Sequence, residues 1–159
     1  LTGQGIGHSH AGTPLLKATA MSRHLGLIAL VVPDYDLAIA HYCGDLGFEL
    51  VEDTRLSEHK RWVVVRPSPL AQTAILLAKA ASPDQSAAIG QQTGGRVSFF
   101  LYTDDFARDH AALQKAGLEF TQSPRIEPYG TVAVFRDKFG NLWDLIEHSG
   151  PSESPAILA

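Results

Sequence analysis

Val32-Pro33-Asp34 opens a stretch that closes at Leu46-Gly47-Phe48-Glu49, and Thr103-Asp104-Asp105 opens a second that closes at Ala116-Gly117-Leu118-Glu119. On this spacing Asp34 matches Asp104, Gly47 matches Gly117 and Glu49 matches Glu119. In both stretches an apolar run precedes the aspartate, and about a dozen helix-compatible residues lead to the glycine. An aspartate at a helix start satisfies backbone N–H groups that have no partner within the helix, and a glycine past its end tolerates the left-handed turn. The echo therefore predicts two copies of one unit.

Working outward, Leu25 to Val32 is a short apolar run that ends at Pro33, as expected of a strand buried on both faces. Tyr35, Ala38, Ile39 and Tyr42 recur at helical spacing and give one apolar face. Strands are predicted over 48–54, 61–66 and 73–78, with Ser57-Glu58-His59-Lys60 as a hairpin loop and Pro67-Ser68-Pro69 as a stop. After a linker over 80–95, closed by Gly94-Gly95, the order restarts. The expected elements are a strand over 96–103, a helix capped by Asp104 or Asp105 with Phe106, His110 and Leu113 on its buried face, and strands over 118–122, 131–136 and 142–147. Asp137-Lys138-Phe139-Gly140-Asn141 reads as the turn between the last two.

The fold class is therefore α+β, two βαβββ modules (25–79 and 96–148) within one domain over 21–150. Neither module buries its sheet alone at this size. Pairing the two, within a chain or across a dimer, gives a concave mixed sheet with helices on the convex side. Residues 1–20 are rich in Gly, Thr, Ser and His and precede the only methionine, Met21. They read as an expression leader or an N-terminal extension. Residues 151–159 read as a loose tail.

Composition narrows the function classes. A net charge of −4 argues against a nucleic-acid partner, which calls for a basic patch. The longest apolar run is too short to span a membrane. Cys43 is the only cysteine, so a cytoplasmic setting is expected and a thiolate-rich zinc site is not.

The ordered set of motifs resembles the vicinal oxygen chelate superfamily of glyoxalases, bleomycin-resistance proteins and extradiol dioxygenases. The residues that carry the resemblance are the capped helix ending in Tyr42 before Gly47-Phe48, and the strand from Arg61-Trp62 to Pro67. Pro128-Tyr129-Gly130 and Asp137-x-x-Gly140-Asn141-x-Trp143-Asp144-Leu145 complete the set. In metal-dependent members, as the resemblance implies, the first and last strand of each module each supply a His or Glu to a divalent ion. Carried over, those positions fall at Leu27, at Leu76 (or Ile75 if the register slips by one), at Ser98 and at Asp144. Leucine donates nothing to a metal and serine is a poor neutral ligand. No metal and no cofactor are expected.

The remaining candidates are polar and aromatic. Asp144 is a cavity carboxylate suited to a cationic ligand group or to general-base work, or else it pairs with Arg61 or Arg96 as part of the fold. Arg61 and Trp62 sit next to each other on one strand, so only one of them faces the cavity. Ser98, Phe100 and Tyr102 share a strand face, and Tyr129 stands at a rim. His41 and His110, on the helices, are placed away from the cavity. The resulting expectation is a homodimer that binds a small, partly apolar molecule without a metal, with Arg61, Trp62, Ser98, Phe100, Tyr102 and Tyr129 as ligand contacts. The alternative is a lyase, isomerase or dioxygenase of the same fold, either metal-free with Asp144 as base or metal-dependent through other ligands.

Overall fold

A computed structural model describes residues 23–150. The first module is β1 (Leu27–Val32), α1 (Tyr35–Ile39), β2 (Glu49–Arg55), β3 (Arg61–Arg66) and β4 (Ala74–Lys79). The second is β5 (Val97–Tyr102), α3 (Phe106–Lys115), β6 (Glu119–Phe120), β7 (Arg125–Glu127), β8 (Gly130–Arg136) and β9 (Leu142–His148). Each module forms its own mixed sheet, ordered β1-β4-β3-β2 and β5-β9-β8-β6, with β7 added on β8. In both, the first strand lies parallel to the last. The α+β duplication holds. Two details differ from expectation: the linker folds a short helix α2 (Pro83–Ala88) capped by Ser82, and β7 lies between Pro124 and Pro128. The leader, Met21 and the C-terminal tail lie outside the described residues.

Asp34 caps α1 by accepting from the Leu37 N–H, and Asp105 caps α3 by accepting from the Arg108 N–H. The structural counterpart of Asp34 is thus Asp105, one residue later than the sequence match, while Asp104 pairs with Arg108. Gly47 and Gly117 both adopt positive φ, at 72° and 85°. Gly47 lies thirteen residues beyond its cap and Gly117 twelve. The first helix therefore holds one residue more than the second. It takes up that residue by widening into a π-helical turn over Ala40–Asp45, closed by Leu46 N–H donating to His41 C=O.

That turn carries the contact between modules. Side chains from the helix-facing sides of both sheets, among them Leu30, Val63, Val65, Leu77, Phe135, Trp143 and Leu145, join Tyr42, Phe48 and Leu113 in one cluster. Tyr42 donates its hydroxyl over 2.7 Å to Asp137, which is 3% exposed. The same carboxylate accepts from Trp143 Nε1, Asn141 Nδ2 and the backbone N–H groups of Phe139 and Asn141. A buried charge ringed by donors in this way fixes the geometry of its neighbours. The buried His41 donates from Nδ1 to Asp45 and accepts the Lys138 N–H at Nε2. Gln92 closes the far side: its side chain accepts from Val31 N–H and donates to Ala29 C=O, pairing part of the β1 edge as a strand would.

No helix of the described residues is long and apolar enough to cross a membrane.

Candidate functional site

With the helix-facing sides of both sheets committed to the core, the alternate side chains point the other way, onto the outward faces. On the first sheet this face carries Leu27, Ala29, Val31, Trp62, Val64 and Leu76. Val64 stands opposite Leu76, and Ala29 opposite Leu76 on the other side. On the second sheet it carries Phe100, Tyr102, Val132, Val134, Asp144 and Ile146, with Phe100 opposite Asp144 and Val134 on its other flank.

The register tests the positions carried over from the metal-dependent relatives. Leu76 pairs with the residue two beyond Leu27, and Asp144 pairs with the residue two beyond Ser98. The four positions are therefore equivalent between modules. Ile75 is buried on the core side, so Leu76 is the outward residue. Two of the four side chains are hydrocarbon. Ser98 is the extra residue of a β-bulge, and its hydroxyl pairs with Thr93 Oγ1 at 2.9 Å. This donor set does not fit a divalent ion. Among the described residues, no group of three or more His, Cys, Asp or Glu stands close enough to hold one.

Asp144 is half-buried and makes no hydrogen bond to the protein, and its Oδ1 is shut off from solvent without a partner. Burial pushes its carboxyl above the ordinary range, opposed in part by the Arg125 guanidinium. Arg125 itself is engaged by Glu127 at 3.1 Å and Gln122 at 2.9 Å. Asp144 therefore pairs with neither Arg61 nor Arg96.

Around it, Phe100, Tyr102 and Tyr129 are 57%, 50% and 51% exposed, an unusual state for large aromatic side chains on a sheet face and its rim. Tyr102 stacks on His148, centroids 4.8 Å apart and planes 18° from parallel. His148 Nδ1 lies 3.2 Å from the Tyr129 carbonyl, so Nδ1 is a donor, and in the neutral imidazole Nε2 is the lone-pair acceptor. From the sequence, His148 is placed at the C-terminal edge and given no part in the site. Its place on the same face as Asp144, four residues along one strand, was the available signal.

Trp62 is half-buried on the outward face, whereas Arg61 lies on the helix side. There Arg61 bridges Asp53 at 2.6 Å and Asp36 at 2.7 Å, over the Tyr35 ring. Bonds to Asp53 and then Asp36 hold its guanidinium charged, and Asp53 is lowered in turn. Arg61 is a tie between α1 and the β2–β3 hairpin, on the opposite face from Trp62. His41 and His110 are both remote from the outward faces, His110 lying between Phe106 and Phe120.

The single chain does not close these faces into one cavity. The two sheets remain separate, and Leu27 is 39% exposed. A groove of about 990 Å³ runs between the Gly44–Phe48 exit, Pro67–Leu70 and α3. A second of about 450 Å³ surrounds Arg61. Neither is lined by Leu27, Leu76, Ser98 or Asp144.

The family model for glyoxalase, bleomycin resistance protein and dioxygenase proteins matches residues 24–145, the whole of both modules up to the last strand. The chain belongs to the glyoxalase/bleomycin resistance protein/dioxygenase superfamily. An uncharacterised protein of Shewanella frigidimarina is 51% identical over 128 residues, covering 80% of this chain and 95% of that one. Among solved structures, UcmS2 superposes with a TM-score of 0.69 at 30% identity, covering 79% of this chain and 98% of that one. TnmS3, an antibiotic binding protein from Streptomyces sp. CB03234, gives 0.65 at 30% identity, with 81% and 98% covered.

Proposed function

We propose that this chain binds a small, partly apolar organic molecule on its outward sheet faces without a metal ion. The observation that carries the reading is the set Leu27, Leu76, Ser98 and Asp144, which leaves one carboxylate where a divalent ion needs three or four donors. An apolar floor with few polar groups and exposed aromatics suits a flat organic ligand. The likeness to TnmS3 supports binding over chemistry.

A homodimer completes the site in this reading. The outward face of the first sheet, with Trp62 and Leu76, closes over that of the second sheet of a partner, with Phe100, Tyr102, Tyr129 and Asp144. Two equivalent cups result, as two-fold symmetry requires. A cytoplasmic setting goes with the single cysteine. The raised carboxyl of Asp144 favours one second reading, a metal-free reaction with Asp144 as general base.

Elemental analysis of the purified protein tests the metal-free part. Stoichiometric Ni, Zn, Fe or Mn, lost in Asp144→Ala, contradicts it. Metal well below one equivalent supports it.

A further inference from the structure

We propose that the ligand is held at Asp144 through a hydrogen-bond donor, an amine or a phenolic hydroxyl on a flat apolar frame, and that oxyanions are rejected. The inference rests on the binding reading above and narrows its ligand class.

Two unpartnered buried polar atoms lie on the outward face of β9, Asp144 Oδ1 and His148 Nε2. Both are acceptors. The carboxylate is one by its nature, and the neutral imidazole is one because its other nitrogen donates to the Tyr129 carbonyl. Asp144 Oδ2 also has no hydrogen-bond partner and is not among the enclosed atoms, so it is open to an incoming group. The nearby cation, Arg125, bonds Glu127 and Gln122 through Nε and Nη1, and the two carboxylates of Glu127 and Asp144 outweigh its single charge.

The surroundings set the shape of the rest of the ligand. Phe100 stands directly opposite Asp144 in the strand pairing, Val134 flanks it on the other side, and Ile146 continues the floor. Tyr102, backed by the His148 ring, offers a fixed aromatic wall. An aromatic frame stacks on these side chains, and an ammonium among them gains a cation–π contact as well. A carboxylate or phosphate in the same place meets the negative charge of Asp144 beside a guanidinium already shared with Glu127.

Four naphthalene probes of matched frame test this on the intact protein by isothermal titration: 2-naphthylmethylamine, 2-naphthol, 2-methoxynaphthalene and 2-naphthoate. The amine is expected to bind most tightly, the naphthol next and still at least about ten-fold more tightly than the methoxy compound, and the naphthoate weakest. Asp144→Leu is expected to level the first three. Asp144→Asn, which preserves shape and one acceptor oxygen, is expected to abolish the amine's advantage over naphthol, so the test stands even if the leucine variant does not fold. Equal binding of all four, or tightest binding of the naphthoate, overturns the donor inference and leaves the metal-free cup intact. Absence of binding by every probe overturns both.

Discussion

The Tyr42 hydroxyl of the first module donates over 2.7 Å to the buried Asp137 carboxylate of the second, across ninety-five residues of chain. Tyr42 reaches Asp137 from the π-helical turn that absorbs the extra residue of the first helix. The duplication therefore differs between its halves at the place where the halves dock. Burial, with Asp137 beside it, pushes the phenol far above its usual range, so the hydroxyl stays a donor.

Tyr42→Phe leaves Asp137 short of one donor and is expected to cost about 1–3 kcal/mol. Asp137→Ala strands Tyr42, Trp143 and Asn141 at once and is expected to cost about 3–5 kcal/mol. Urea denaturation checks both. Equal, negligible losses would mean that the apolar cluster alone docks the modules.

Glycine substitutions separate strain from clash. A methyl at Gly47 or Gly117 meets open space, so Gly47→Ala and Gly117→Ala are each expected to cost only about 1 kcal/mol, the left-handed backbone penalty. A methyl at Gly90 would run into the Phe139 carbonyl oxygen, and one at Gly130 into that of Glu147. Those two variants are expected to lose at least about 3 kcal/mol, read as a larger fall in thermal midpoint.

The pH dependence of Asp144 has a definite sign. Its folded carboxyl is raised by burial above the unfolded value, so the folded state holds its proton more tightly. Stability from this group increases as pH falls through the raised value and is lost above it. Asp144→Asn is therefore expected to melt higher than the parent at pH 7. The difference should vanish below about pH 4, where the parent is also neutral. A parent that melts higher at pH 7 would mean that the carboxylate is paired.

The proposed closure across a dimer would make the outward face intolerant of charge. Phe100→Glu places a carboxylate beside Asp144 and in the proposed contact, and is expected to shift the protein to monomer in sedimentation velocity without lowering its helix content. A monomeric parent protein would remove the dimer from the account.

The elements nearest the repeat were legible because their signals are local: a capping aspartate, a helical apolar face, an exit glycine. The register at Leu27, Leu76, Ser98 and Asp144 was legible by counting from those signals. Asp137 read only as a turn residue because its partner Tyr42 lies in the other module. The face of Arg61 was undecided because alternation gives two faces and does not say which one packs; Asp36, on the helix, decides it. The flanking prolines concealed β7. The π-helical turn was latent in the unequal cap-to-glycine spacing, hidden by aligning Asp34 with Asp104 instead of Asp105.

The most direct measurement is calorimetric titration of EDTA-treated protein with planar aromatic amines such as 2-naphthylmethylamine, repeated after adding back Zn, Ni, Fe or Mn. The account predicts saturable binding of one ligand per cup, unchanged by the metals and weakened at least about ten-fold in Trp62→Ala and Phe100→Ala. Binding or turnover that appears only when a divalent metal is restored would contradict it.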